Sequence, residues 1–267
     1  MPRLARRFAI TAGLLFVLAL GVHAVSGERP NVALNAAQTP ASPAKAGPAG
    51  EEASLVAAFR RVEVASVSDA IEQLLGKKMY MSHRMRPVAP GSHFAGTALT
   101  VLLKKEENTE GAPALQGMLT AIDQGPPDSV YVMVVEDGSD IAGIGGLMGT
   151  AMSARGFAGA VIDGGVRDTS YLQRIGFPVY AVGVVPSTSV KHYRFGGSNV
   201  PVTCDGVHID PNDIIVADND GVVVVPRARA ADVLKLAQEL DFKEHSMQPY
   251  IEKYKSILKA VEQFGRI

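Results

Sequence analysis

The chain has 267 residues, 47% hydrophobic and 20% charged, enough apolar material for one sizeable core. Its 26 basic and 27 acidic residues nearly balance, so no basic footprint for nucleic acid is present. The single cysteine, Cys204, cannot close an internal disulfide, and packing alone must hold the fold.

At the amino terminus, Arg3, Arg6 and Arg7 precede an apolar run from Phe8 to Val22, followed by His23 and Ala24. A basic start, about 15 apolar residues and a small residue at the end describe a secretory signal peptide over residues 1–24. The alternative is an uncleaved anchor, although the run is shorter than the roughly 20 apolar residues that span a bilayer. Cleavage removes three arginines and no acid, taking the net charge from −1 to −4. The expectation is an exported protein, periplasmic or secreted, with no nucleic-acid partner and no membrane contact once the signal is gone. Residues 25–50 are rich in Ala and Pro and poor in large apolar groups, which predicts a disordered tether. The folded domain is expected over 51–267.

Within it, periodicity predicts helices over 51–61 and 67–75, the second opening at Ser66 or Ser68 as cap. Strands follow at 94–103 and at 130–135, the latter an unbroken apolar run suited to burial on both faces. A helix over 146–155, a strand over 159–162, a short helix over 168–175 and a strand over 179–184 continue the alternation. Two strands, 214–217 and 222–225, flank the turn Asp218-Asn219-Asp220-Gly221. A helix over 229–246 is expected to end before Pro249, with a last amphipathic helix over 250–264. Strand–helix alternation flanked by hairpins indicates α/β layers in a single domain.

Two stretches carry chemistry. Gly143-Ile144-Gly145-Gly146-Leu147-Met148-Gly149 lies between a buried strand and a helix, where bare backbone admits a ligand and free N–H groups face an anion. Glycines packing in a tight turn explain the same pattern. It is no dinucleotide fingerprint, because Met148 stands where the third glycine belongs. Next, Ala160-Val161-Ile162-Asp163-Gly164-Gly165-Val166-Arg167-Asp168 ends a strand in a turn that delivers an arginine beside an aspartate. Arg167 offers a planar cation for a carboxylate or enolate, and Asp168 a hard oxygen for Mg²⁺ or Mn²⁺. A plain structural reading competes: Asp168 caps the following helix and Arg167 pairs with Asp163.

Gly146, twenty further residues and then Arg167-Asp168 resemble the G-x20-R-D-x2-E/D signature of class II pyruvate aldolases in the RraA-like family. Val67-Ser68-Asp69-Ala70, Met85-Arg86-Pro87, Asn199-Val200-Pro201-Val202 and the stretch from Pro211 to Pro226 are similar to the same family in the same order. The likeness spans roughly residues 55–246 and is close to the class II 4-hydroxy-4-methyl-2-oxoglutarate/oxaloacetate aldolases. It implies a swivelling β/β/α domain with C-terminal helices, assembled as a homotrimer or dimer of trimers. It further implies a 2-oxo acid held by the amides of Gly146, Leu147 and Met148 and by Arg167. In that picture Asp168 holds Mg²⁺ or Mn²⁺, and Glu244 of the neighbouring subunit approaches the metal. Glu244 reads equally well as a solvated surface residue. The sequence departs from the signature at its last position, where Tyr171 replaces the acid. That departure leaves open a weak or inactive relative that serves as a binding or regulatory module.

Overall fold

The computed structural model describes residues 48–89 and 92–266. The expected signal peptide lies outside the described residues. So does the expected tether, apart from its last three residues, which open the first helix. That helix, α1, is Pro48–Phe59, with proline at the first position, where a missing N–H costs nothing. Then come α2 (Val64–Leu75), β1 (Arg86–Pro87), β2 (Phe94–Lys105), α3 (Gln116–Gln124), β3 (Ser129–Val135), β4 (Ala142–Ile144) and α4 (Gly146–Ala154). The chain continues through β5 (Gly159–Val166), α5 (Thr169–Arg174), β6 (Val179–Val184), β7 (Tyr193–Ser198), β8 (Val202–Cys204) and β9 (Val207–Ile209). It closes with β10 (Ile214–Asp218), β11 (Gly221–Val225), α6 (Ala230–Tyr254) and α7 (Ile257–Phe264).

Among the described residues nine strands form one mixed sheet, ordered β1-β6-β5-β3-β2-β10-β11, with β4 added beside β5 and β7 beside β2. β2, β3, β5 and β6 run parallel, whereas β10 and β11 form an antiparallel hairpin against β2. Because successive strand residues point to opposite faces, β3 serves two cores at once. Tyr131 and Met133 pack with Ile122 of α3, Met152 of α4 and Leu172 of α5. Val130 and Val132 pack on the opposite face with the small β8–β9 hairpin. The same alternation sends Ile214 and Val216 of β10 toward α1, α2 and α6, and Ile215 and Ala217 toward the hairpin. The uninterrupted apolar run expected at 130–135 therefore has its physical reason in burial on both faces.

Two local expectations are corrected. Neither Ser66 nor Ser68 caps α2, because the helix begins earlier, after Glu63, and Ser66 is buried within it. Its first amide is satisfied from far along the chain: Asp218 Oδ2 accepts from Val64 N at 3.0 Å, and Asp241 Oδ1 accepts from Glu63 N at 3.2 Å. Nor does Pro249 end α6, which continues to Tyr254. A proline inside a helix costs about 3 kcal/mol. Packing on both sides offsets it, with Met247 buried and the Tyr250 ring against Tyr254 and Phe264 at 4.5 and 5.6 Å between centroids. The helix stops instead at Lys255, which takes left-handed backbone (φ 53°), and Ser256 caps α7 by accepting from Lys259 N. Among the described residues no helix is long and apolar enough to cross a membrane.

Candidate active site

The parallel pairing of β4 with β5 sets the site. Ala142 lies opposite Gly165 and Ile144 opposite Val166, so the glycine stretch that follows β4 is laid beside the Arg167-Asp168 pair that follows β5. Arg167 N donates to the carbonyl of Ile144 at 3.2 Å, which fastens the two turns together. The glycines then divide by role. A side chain at Gly149 would strike Leu172 in the core at 2.2 Å, and one at Gly143 would strike Met133 at 2.7 Å. One at Gly145 would reach Asp168 Oδ2 at 2.7 Å and Arg167 Cγ at 3.0 Å, and one at Gly146 would reach the Tyr171 ring at 3.1 Å. Gly143 and Gly149 thus make room for the core, and Gly145 and Gly146 for the side chains of Asp168, Arg167 and Tyr171.

Asp168 does not act as a cap. It stands at the N-cap position of α5 in left-handed backbone (φ 57°, ψ 33°), and its side chain makes no capping hydrogen bond. Its carboxylate turns to the opposite helix, where Oδ2 accepts from Gly146 N at 2.9 Å. Aspartate tolerates left-handed backbone better than most residues, and such conformations gather where surrounding structure over-determines them. The amide of Gly146 is thereby taken by Asp168. Leu147 and Met148, in the first turn of α4, keep amides with no helical carbonyl four residues behind them.

Arg167 is not paired with Asp163. Its Nη1 donates to the carbonyl of Ser187 at 3.2 Å, and its Nε lies 3.9 Å from Asp168 Oδ2. Asp163 faces away and accepts from Asp205 N at 2.6 Å; burial pushes its carboxyl above the usual range. Arg167 and Asp168 are each about half exposed and border a cleft of about 380 Å³. Its other walls are Leu119 and Asp123 from α3, Gly145 and Leu147 from the glycine turn, and Thr188 and Ser189. Sequence reasoning missed Asp123 and the 187–189 loop, since a surface acid on a helix and a Ser/Thr loop after Pro186 carry no pattern of their own. Ser187 braces the site, with Oγ accepting from Ala142 N and donating to Asp140 O.

Tyr171 packs its ring on Gly146, and its hydroxyl shares a 3.1 Å hydrogen bond with Thr150 Oγ1. Glu244 does not line the cleft of its own chain. Its Oε2 accepts from Arg266 Nη2 at 3.0 Å, and Arg266 also holds Asp69. Among the described residues no cluster of three or more His, Cys, Asp or Glu side chains is placed to hold a metal ion. Hard carboxylates on the walls of an open cleft, Asp168 and Asp123, are of the kind that Mg²⁺ or Mn²⁺ takes alongside waters and substrate oxygens, and do not make a closed structural zinc site.

Known proteins resemble this chain in both sequence and shape. The RraA-like pattern, described as Aldolase/RraA, matches residues 64–224. A provisionally named 4-hydroxy-4-methyl-2-oxoglutarate aldolase of Halalkalibacterium halodurans is 29% identical over 188 residues, covering 70% of this chain and 84% of that protein. A relative bearing the same provisional name in Burkholderia multivorans is 35% identical over 160 residues, covering 58% of this chain and 91% of its own length. The crystal structure of Streptomyces coelicolor RraAS2, titled an unusual member of the RNase ES inhibitor RraA protein family, superposes with a TM-score of 0.65 at 26% identity. That superposition covers 73% of this chain and 96% of the other. The mixed α/β sheet with its C-terminal helices is the fold these structures share. The chain belongs to the RraA-like family.

Proposed function

We propose that the cleft is a lyase site that breaks the carbon–carbon bond next to a 2-oxo acid, of the 4-hydroxy-4-methyl-2-oxoglutarate aldolase and oxaloacetate decarboxylase type. The observation that supports this most is the convergence of Arg167 and Asp168 on the amide-bearing start of α4. The substrate carboxylate sits on the free amides of Leu147 and Met148, with Gly146 serving to fix Asp168. The guanidinium of Arg167 faces the keto oxygen. Asp168 holds the divalent cation, Mg²⁺ or Mn²⁺, which when bound polarises the keto group as a Lewis acid. As the bond breaks, its electron pair moves through the adjoining carbon onto the keto oxygen, giving a pyruvate enolate. The other product is CO₂ when the departing carbon is a carboxylate, or a second 2-oxo acid when it carries a hydroxyl, which gives its proton to water as it becomes a carbonyl. Protonation of the enolate carbon then gives pyruvate. Arg167 acts where negative charge grows, so its effect falls on the rate of the chemical step.

The same reading makes the molecule a homotrimer or dimer of trimers, with Glu244 of a neighbouring subunit approaching the metal; the signal-like amino terminus separately supports export. Leu147, 90% exposed, and Val184, 64% exposed, border the cavities around Asp168 and support a partner covering the site. A second reading, a binding or regulatory module with weak or no turnover, draws on Tyr171 in place of the signature acid. Pyruvate release from oxaloacetate by residues 51–267 with Mg²⁺ separates the two. Turnover is expected, with Arg167→Ala reducing kcat by about a hundredfold or more; no turnover in the wild-type protein would leave the binding module.

A further inference from the structure

Asp168 stands between two cavities. Beyond the cleft with Arg167, a second hollow of about 670 Å³ opens on its other side, sharing Gly146, Leu147 and Asp168 as common walls. Its far wall is α5, which contributes the Thr169 and Ser170 hydroxyls, the Tyr171 ring and the Arg174 guanidinium. Arg174 stacks on Tyr171, 5.0 Å from the ring centroid, and its guanidinium makes no ion pair or hydrogen bond to another described residue. Its forked N–H donors are therefore free for an anion. The identity of residue 171 decides this. An acid there would lie three residues before Arg174 on the same helix, near enough to pair with it and neutralise it. A phenol instead supports the guanidinium with its ring face and leaves its charge available.

Building on the reading of the main cleft, we propose that this hollow is a distal subsite. There Arg174, seated on Tyr171, binds an anionic group at the far end of the 2-oxo acid and sets the preference for ligands that carry one. Tyr171 is then a specificity-determining residue rather than a damaged metal ligand. Ligand binding to the full-length protein, followed by calorimetry with Mg²⁺ present, tests this with a matched pair. 2-Oxoglutarate carries the distal carboxylate, and 2-oxopentanoate has the same chain length without it.

The wild-type protein should bind 2-oxoglutarate more tightly than 2-oxopentanoate by about tenfold, the scale of one charge-assisted contact in a partly exposed site. Arg174→Gln and Arg174→Ala should remove that ratio while leaving 2-oxopentanoate affinity unchanged. Tyr171→Glu should reduce the ratio by supplying the pairing acid. An unchanged ratio in both Arg174 variants would overturn the subsite and leave the main cleft intact. Failure of the wild-type protein to bind either ligand would overturn both. A change of oligomeric state in Arg174→Gln, seen by sedimentation, would overturn the subsite by making Arg174 a subunit contact.

Discussion

At the scale of single residues, the site rests on two glycines having no side chain where Asp168 and Arg167 approach. Gly145 has extended backbone (φ −152°) that alanine adopts freely, so Gly145→Ala is a purely local intrusion, 2.7 Å from Asp168 Oδ2. It is expected to displace that carboxylate and cut turnover by about a hundredfold, with melting temperature close to wild type. Gly149→Ala should do the reverse. Its methyl group meets buried Leu172 at 2.2 Å, and overpacking of this kind costs about 1–3 kcal/mol of stability. Equal loss of stability in the two variants would contradict the division of roles. The sequence showed a glycine cluster and a neighbouring Arg-Asp pair, but not which glycine faced which. Nor could it show that Asp168 turns from its own helix to the amide of Gly146, because that choice depends on the pairing of β4 with β5. β4 is three residues long and has no periodicity to detect.

At the scale of elements, the side chain of one aspartate joins the turn of the β8–β9 hairpin to the segment before β1. Asp205 and Gly206, both with positive φ, make its turn, and the Asp205 side chain, 2% exposed, accepts from Ser82 N at 2.6 Å and from Arg84 at 2.9 Å. Burial alone would raise this carboxyl, but the hydrogen bonds from Ser82 and Arg84 outweigh it and hold the group below its ordinary range. A depressed carboxylate stabilises above its unfolded-state value, and that stability is lost as pH falls through the folded one. Asp205→Asn keeps an acceptor for Ser82 but loses the charge. It should lower the melting temperature at neutral pH by about 2–4 °C. The difference from wild type should begin to shrink below about pH 4, the ordinary carboxylate range, and vanish only in stronger acid, where the depressed wild-type group protonates in turn. A deficit that persists undiminished in acid would show that packing, and not charge, is lost. Long strands such as β3 and β10 were legible because two-sided burial leaves a continuous apolar record. The short β1, β4, β8 and β9 were not, and Pro249 misled because burial of Met247 and the ring contacts of Tyr250 outweigh its local cost.

At the scale of the whole molecule, the sheet brings the glycine turn, the Arg-Asp pair and the 187–189 loop into one mouth, with large apolar residues left at its rim. Covering Leu147 alone is worth roughly 1.5–3 kcal/mol, an incentive for a second copy to sit there. Light scattering on residues 51–267 should give the mass of a trimer or of two trimers. A stable monomer would contradict both that assembly and any role for Glu244 at a neighbour's metal. The central claim, that Asp168 works as a metal-binding carboxylate and not as a piece of scaffold, is reached most directly by one comparison. Oxaloacetate decarboxylation is measured in wild type and Asp168→Asn, each with Mg²⁺ and with EDTA. The amide oxygen of asparagine can still accept from Gly146 N, so the fold and the glycine turn should survive while the hard anionic ligand is gone. Wild type is expected to turn over only with Mg²⁺, and Asp168→Asn to be slower by orders of magnitude at an unchanged melting temperature. Full turnover in Asp168→Asn, or turnover in wild type that EDTA leaves untouched, would contradict the account.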